Sequence, residues 1–144
     1  MTTLTSWPIL SFIPPDISDS VKKAFVFGGA GNEALIVLSN GDIYALGFNG
    51  NGCLGTSDGC STLEPKRIDA LCGKDITGVA YGMGPHVLAV TSGGELFSWG
   101  HGGYGQLGHN DPEKNKPIVI PMNGKIVTNV ACGSYHSGLL RYFT

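Results

Sequence analysis

The chain has 144 residues, 42% of them hydrophobic, which is enough apolar material for one domain with a core. Nine lysine and arginine residues stand against eleven aspartate and glutamate residues, and the net charge of -2 argues against a nucleic-acid partner, which would select a basic surface. The sequence shows neither an apolar run of the ~18 residues that a membrane span needs nor the cationic and apolar regions of a signal peptide, so we expect an intracellular protein of the cytoplasm or nucleus.

The amino acid composition favours an all-β fold. Glycine is abundant, with 23 residues, and it supplies the positive φ angles that tight turns between strands need. The four cysteines form no C-x-x-C pair and have no clustered histidines beside them, so they match neither a zinc site nor a redox motif. We therefore expect reduced thiols and neither a metal nor a small-molecule cofactor.

The amino-terminal segment is predicted to be a strap followed by a short helix. Residues 1–15 are apolar but are broken by three prolines, which deny a helix its hydrogen bonds and favour an extended strap on the protein body. From Asp16 to about Phe25, apolar residues at i, i+4 and i+7 predict a short helix. This interpretation separates residues 1–25 from a second region, residues 26–144.

Two similar β-hairpins are predicted in the second region. Residues 34–46 form the first, with Asn40-Gly41, a strong hairpin signal, as its turn. Residues 87–99 form the second, with Gly93-Gly94 at the turn. Residues 34–38 are apolar on both faces, so we expect a neighbouring repeat unit to cover this strand.

Each hairpin leads into a glycine-rich loop, and the two loops are in register. Gly47 and Gly100 are 53 residues apart, and so are Leu54 and Leu107. Further strands are predicted at 65–68, 75–81, 117–120 and 125–132, with a proline opening the first and third as outer strands. About four strands in a repeat of about 50 residues is the content of one propeller blade.

The recurring positions define a repeat signature. The repeats run approximately over residues 34–86 and 87–136, and the start of a third follows. The signature residues, to which we assign structural roles, are Gly47, Gly52, Leu54, Gly55, Gly82, His86, Trp99, Gly100, Gly105, Gln106, Leu107, Gly108, Gly133 and His136.

The second repeat resembles the regulator of chromosome condensation repeat family. The residues that carry the resemblance are Glu95, Trp99-Gly100, Gly105-Gln106-Leu107-Gly108, Pro117 and Gly133-Ser134-Tyr135-His136. The first repeat departs from the pattern, with Leu46 in place of the tryptophan and Cys53 in place of the glutamine. These departures and the Trp7-Pro8-Ile9 lead-in resemble the amino-terminal part of proteins that join such a propeller to a BTB domain.

The resemblance implies a fold that is larger than this chain. A seven-bladed ring needs about 350 residues at about 50 residues per blade. We therefore expect a partial β-propeller of about two to three four-stranded antiparallel blades, in a truncated form of a larger propeller-BTB protein. Open strand edges would then favour self-association.

Other motifs favour structural roles over chemistry. Residues 50–55 and 103–108 match a dinucleotide-binding fingerprint, but polar turn residues follow each match where pyrophosphate binding requires a helix. His86 and His136 hold equivalent positions, which favours imidazoles bonded to the backbone of a turn over a metal site. No nucleophile, base or carboxylate pair can be assembled, so no enzyme activity is predicted.

The sequence favours a non-catalytic scaffold that binds a protein partner. Loop residues Asn49, Asn51, His101 and Tyr104 are the candidates for contact with that partner. The alternatives that the resemblance implies are a guanine-nucleotide exchange factor for a small GTPase and a chromatin-binding module. Exchange activity would need loops from several blades of a closed ring, and the acidic balance argues against chromatin contact.

Overall fold

The structure is a computed structural model that describes residues 7–50, 52–102, 106–108, 115–133 and 137–142. Over these ranges the chain forms antiparallel sheets in which spatial order follows chain order. The first blade contains β1 (Val21–Phe27), β2 (Glu33–Leu38), β3 (Ile43–Gly47) and β4 (Thr62–Arg67). The second blade contains β5 (Ile76–Gly82), β6 (His86–Thr91), β7 (Leu96–Gly100) and β8 (Ile118–Ile120). A half blade pairs β9 (Ile126–Cys132) with β10 (Ser137–Tyr142).

The predicted all-β class and the partial propeller are confirmed. Both predicted hairpins form, as β2 with β3 and as β6 with β7. In the first hairpin the Asn40 side chain accepts a hydrogen bond from Asp42 N at 2.9 Å and closes the turn. The two predicted outer strands are β4 and β8, and both lie at the edges of their sheets as expected. Pro117 directly precedes β8, whereas Pro65 lies inside β4, which begins three residues earlier at Thr62.

The predicted helix from Asp16 to about Phe25 is wrong over most of its length. Helix α1 is confined to Pro15–Ser18, one turn, and the following residues form β1, which pairs with β2. Backbone pairing with a fully buried strand outweighs a weak helical pattern, because a short amphipathic segment is stable as a helix only if its apolar face finds a partner. The proposed division at residue 25 therefore falls inside a strand of the first blade.

The described part of the predicted strap lies on the protein body as expected, but residues 8–12 are helical and not extended. Pro8–Phe12 forms a 3₁₀ helix, which proline permits at a first turn because its missing N–H has no partner there. Ile9, Leu10 and Ile13 are buried against one face of the first blade. Residues 7–13 are called the strap below.

The blades are offset from the sequence repeats by one strand. The first repeat supplies β2, β3 and β4 to the first blade, and its last strand, β5, is the first strand of the second blade. In the same way the second repeat ends with β9, which belongs to the half blade. Each repeat therefore spans a boundary between sheets, and the covalent chain ties neighbouring blades together.

The main core lies between the two blades. Leu35 and Val37 of β2 face Val87 and Ala89 of β6 across this layer, and Trp99 is fully buried with them. The opposite face of β2 packs against the strap, whereas we expected neighbouring repeats to cover it. Strand β2 is therefore buried along its whole length by two different partners.

Candidate interaction surface

The loops that follow β3 and β7 leave their blades in the same way. Phe48 N donates to Asn32 O at 3.1 Å, and His101 N donates to Pro85 O at 2.8 Å. The preceding glycines have φ angles of 123° at Gly47 and 103° at Gly100. A Cβ at Gly100 would lie 2.7 Å from Pro85 O, so glycine is required where the loop leaves the strand.

Phe48 and His101 both reach solvent from these fixed backbone positions. The Phe48 side chain is 46% exposed, and His101 is also exposed. They are 53 residues apart and each is the first residue after its strand. The two blades thus present one side chain each at equivalent points.

Asn49 is not available to a partner, which corrects the prediction for this residue. Its side chain is 1% exposed and organises the loop from inside. The amide nitrogen donates to Thr56 Oγ1 at 3.0 Å and to the carbonyl oxygens of Asp58 and Cys60 at 2.8 and 3.2 Å. Its oxygen accepts from Leu54 N at 3.0 Å. Asn49 therefore links Leu54, Thr56, Asp58 and Cys60 to one another from inside the loop.

The signature residues after Asn49 join the first blade to the second. Trp99 Nε1 donates to Cys53 O at 2.7 Å, and Cys53 Sγ lies 3.1 Å from Pro85 O. Leu54 is fully buried in the core between the blades. Gly55 has a positive φ of 78°, and a Cβ there would lie only 3.1 Å from the Pro117 ring and 3.3 Å from Trp99 Nε1, so a side chain would be strained. The contact between residues 52–55, which follow β3, and the second blade is called the loop seat.

In the matching loop of the second repeat, Gln106 and Leu107 are buried as well. Gln106 Nε2 donates to Gly84 O at 3.2 Å, and Ser98 Oγ donates to Leu107 O at 2.7 Å. Ser137 of β10 donates through Oγ to Gln106 O at 2.6 Å, which ties this loop to the half blade. Leu107 is 2% exposed, and Gly108 follows with a positive φ of 71°.

The buried histidine of the signature is bonded to a turn. His86 is fully buried, and its Nδ1 lies 3.2 Å from Gly84 O. Gly82 is squeezed between the His86 ring and Gly133 O of the half blade, so a Cβ at this position would clash with both. The carbonyl of Gly84 is thus shared by His86 and Gln106, and the turn between β5 and β6 is fixed on two sides.

Four predicted residues lie outside the described residues. Two of them, Asn51 and Tyr104, are candidates for partner contact, and the other two, Gly105 and His136, are signature positions. The predictions for these four residues stay predictions.

Two partly or fully buried thiols, Cys53 and Cys132, are held in their neutral forms. Burial, reinforced by the nearby Glu33 carboxyl, raises the pKa of Cys53 to about 12. Burial also raises the pKa of Cys132 to about 11. Both thiols are therefore protonated at neutral pH and are poor nucleophiles.

The described residues bear on three other kinds of site: a metal site, a dinucleotide site and a membrane-spanning helix. Over those ranges no three His, Cys, Asp or Glu side chains are grouped so that they could hold a metal ion. The first dinucleotide fingerprint ends at Gly55 and leads into β4, not into a helix. Among the same residues no helix has both the length and the apolar character to cross a membrane.

Two residues of interest were missed by the sequence reasoning. Phe48 occupies the position of His101 in the preceding repeat, and Glu33 occupies the position of His86, each at the 53-residue offset. Applying the offset to every candidate residue would have found both. Glu33 is 3% exposed, and its Oε2 has no hydrogen-bond partner among the residues that the structure describes.

The chain is similar to known repeat proteins over most of its length. A family described as "Regulator of chromosome condensation (RCC1) repeat" matches residues 40–90 and 93–140, and a second profile with that description matches residues 76–106. Human E3 ubiquitin-protein ligase HERC2 is 35% identical over 126 residues, a region that covers 83% of this chain and 3% of HERC2. Mouse probable E3 ubiquitin-protein ligase HERC4 is 38% identical over 112 residues, covering 76% of this chain and 10% of HERC4.

Solved structures show the same fold. Human WBSCR16 matches with a TM-score of 0.67 and 27% identity, over 83% of this chain and 30% of that one. Prp20p from Saccharomyces cerevisiae matches with a TM-score of 0.64 and 22% identity, over 84% of this chain and 31% of that one. The chain therefore spans about a third of the solved relatives and a small fraction of the curated ones. With matches to both repeats and the blade geometry above, the chain belongs to the regulator of chromosome condensation (RCC1) repeat family.

Proposed function

We propose that this chain is a non-catalytic scaffold that binds a protein partner through the loops following β3 and β7. The observation that carries the proposal is the paired presentation of Phe48 and His101. Each side chain reaches solvent from a backbone N–H that is bonded to the turn before the neighbouring strand. A rigid backbone lowers the entropy cost of ordering an interface, so such side chains suit recognition.

The chemistry of the described residues supports binding over catalysis. The Cys53 and Cys132 thiols are protonated at neutral pH, and the buried signature residues hold turns in place. An exposed aromatic side chain beside a fixed loop is a common feature of protein interfaces. The proposal therefore includes the absence of enzyme activity, and it places the protein inside the cell.

The proposal extends to the subfamily of the chain and to the kind of partner it binds. The Leu46 and Cys53 departures support a relationship to propeller-BTB proteins, which we keep as part of the proposal. The structural study of Prp20p reports its binding properties to Gsp1p and histones, and another structure shows Kap60 bound to that protein. At 22% and 20% identity these likenesses support the shared fold and the use of a propeller as a binding platform. Nucleotide exchange and chromatin binding stay as alternatives.

The proposal predicts that one set of partners depends on both exposed loop residues. Affinity capture with quantitative mass spectrometry would compare four proteins. They are the parent chain, the loop variants Phe48→Ser and His101→Ala, and the control Val119→Ser. Val119 is 47% exposed on β8, away from both loop starts, so its variant matches the others in exposure. We expect the same proteins to be depleted at least about fivefold by each loop variant, a loss of about 1 kcal/mol, and retained by the control.

Two results would contradict the scaffold proposal. Partners retained equally by all three variants would mean that these loops do not form the interface. Equal depletion by Val119→Ser would point to a general loss of folded protein. Thermal unfolding of each variant, followed by circular dichroism, distinguishes these outcomes.

A further inference from the structure

We propose that Asn123-Gly124 is a modification site, at which the asparagine of the folded protein deamidates without an enzyme to aspartate and isoaspartate. Asparagine is prone to this reaction before glycine, because glycine has no side chain to obstruct attack by its backbone nitrogen on the asparagine amide. The sequence contains four such pairs: Asn40-Gly41, Asn49-Gly50, Asn51-Gly52 and Asn123-Gly124. Local sequence makes all four susceptible, so the fold decides which of them reacts.

The reaction consumes only water. The Gly124 backbone nitrogen gives its proton to hydroxide and attacks Asn123 Cγ, so that an N–Cγ bond forms. The bond from Cγ to Nδ2 breaks, and the amide nitrogen takes a proton from water and leaves as ammonia. Water then opens the five-membered imide. Opening at Cγ yields aspartate, and opening at the backbone carbonyl carbon yields isoaspartate, in which the main chain runs through the former side chain.

Both reacting groups of the Asn123-Gly124 pair are accessible. The pair lies between β8 and β9 and has φ angles of 53° and 77°, the paired left-handed values of a turn that favours Asn-Gly. Lys125 N closes this turn by donating to Met122 O at 3.1 Å. Both residues of the pair are exposed. Among the described residues, neither the Asn123 amide nor the Gly124 N–H has a hydrogen-bond partner.

The surroundings of the turn also permit the backbone rotation that ring closure requires. A Cβ built on Gly124 would meet no atom within 4 Å, so the turn can open without displacing packed side chains. A segment that opens at little cost reacts through its open form more often than a segment held by many contacts. We therefore expect the Asn123-Gly124 turn to reach the reactive geometry readily.

The Asn40-Gly41 pair shows that exposure alone does not decide the site. Asn40 is also exposed, but Gly41 N donates to Leu38 O at 3.0 Å. Asn40 Oδ1 accepts from Asp42 N at 2.9 Å, and its Nδ2 donates to Asp42 Oδ2 at 3.2 Å. The attacking nitrogen and the amide are thus both engaged, and these bonds must break before an imide can form.

The two pairs in the loop after β3 are protected in a different way. Asn49 is 1% exposed, and its amide takes part in four hydrogen bonds within the loop. For the next pair, Asn51 itself lies outside the described residues, but the attacking nitrogen, Gly52 N, donates to Asn49 O at 3.1 Å. Reaction at either pair therefore requires this loop to open first.

Isoaspartate at position 123 would disturb the attachment of the half blade to the second blade. Just after the turn, Val127 N donates to Gly94 O at 3.1 Å. The Val127 side chain is 2% exposed and packs with Leu88, Val90 and Leu96 of the second blade. Isoaspartate adds one carbon atom to the main chain of the turn that sets this position. Aspartate keeps the main chain as it is and adds only a negative charge.

Peptide mapping by mass spectrometry tests the site. The parent chain would be incubated at mildly alkaline pH, once folded and once in urea, and electron-transfer fragmentation would distinguish aspartate from isoaspartate. In urea we expect similar rates at all four pairs. In the folded chain Asn123 should convert at least about tenfold faster than any other pair, a difference of about 1.4 kcal/mol in activation free energy. Asn123→Gly, which tolerates the positive φ, should remove this product.

Three results would overturn the site. They are no conversion of folded Asn123 in the time that the chain in urea needs, faster conversion at any other pair, and equal conversion at all four pairs. Equal conversion would mean that only the unfolded fraction reacts. None of these results depends on which partner the loops after β3 and β7 bind.

A second measurement tests the effect on the half blade. Ion-exchange chromatography separates the converted chains, because each conversion adds one negative charge to the net charge of -2. The isoaspartate form should unfold at a lower urea concentration than the parent chain. The Asn123→Asp variant, which has the charge without the longer main chain, should unfold at the same concentration as the parent. Equal midpoints for the isoaspartate form and Asn123→Asp would show that the turn does not set the attachment.

Discussion

Trp99→Ala is expected to lower the free energy of unfolding by about 3 to 5 kcal/mol. The indole is fully buried in the core between the two blades, so truncation leaves a large cavity there. The variant also loses the 2.7 Å hydrogen bond from Trp99 Nε1 to Cys53 O, and that carbonyl is left without its indole partner. The loss is large because one side chain joins two sheets.

Urea titration followed by far-UV circular dichroism measures this loss. Trp99→Phe is the informative comparison, because it keeps most of the volume and removes the hydrogen bond, so a smaller loss of about 1 to 3 kcal/mol is expected. Val119→Ala, on an exposed strand position, should stay within about 0.5 kcal/mol of the parent protein. A Trp99→Ala protein as stable as the parent would show that the blades do not pack through this residue.

Glu33→Gln is expected to stabilise the protein increasingly as pH rises from 4.5 to above 7. Burial raises the pKa of the Glu33 carboxyl to about 7 in the folded chain, against an ordinary value of 4.5. Below pH 4.5 the carboxyl is mostly neutral in both the folded and the unfolded chain, so burying it does not lower the free energy of unfolding. As pH rises, the Glu33 carboxyl ionises first in the unfolded chain. The free energy of unfolding therefore falls until the carboxyl of the folded chain also ionises near pH 7.

The size of this effect follows from the pKa difference. A rise from 4.5 to about 7 corresponds to about 3 kcal/mol at about 1.4 kcal/mol per pKa unit. The difference in unfolding free energy between Glu33→Gln and the parent should therefore grow by about this amount between pH 4.5 and pH 8. Glu64→Gln, on the exposed side of β4, is the matched control and should show no comparable trend. A pH-independent difference for Glu33→Gln would contradict a buried, unpartnered carboxyl.

The hairpins and the repeat were predictable because their signals are local. Asn40-Gly41 and the alternation around it specify a tight turn between two strands, and the structure has that turn. The 53-residue offset places Gly47 with Gly100 and Leu54 with Leu107, and each described pair occupies equivalent positions. Fold class follows from such repetition because each copy imposes the same backbone requirements.

The errors arise where distant contacts decide the outcome. The segment from Val21 became a strand because β2 offers it backbone partners along its length, with one bulge between Val21 and Lys23, and a helical pattern cannot reveal such partners. Asn49 appeared to be an exposed loop residue, but its amide satisfies groups up to 11 residues away inside a closed loop. The role of the strap depends on its packing against Ala34 and Ile36 of β2, and this contact is visible only in three dimensions.

The central claim is that one repeat packs on the next. Hydrogen exchange of the two indole N–H groups tests this claim most directly. The chain has two tryptophans, so a ¹⁵N-labelled sample should show two indole N–H signals, and Trp7→Phe assigns them. Trp99 is fully buried with its N–H bonded to Cys53 O, whereas Trp7 is 51% exposed. We predict that the Trp99 signal exchanges with solvent only on unfolding while the Trp7 signal exchanges rapidly. Equally rapid exchange of both signals would contradict the account, because the two blades could not then be locked together at this residue.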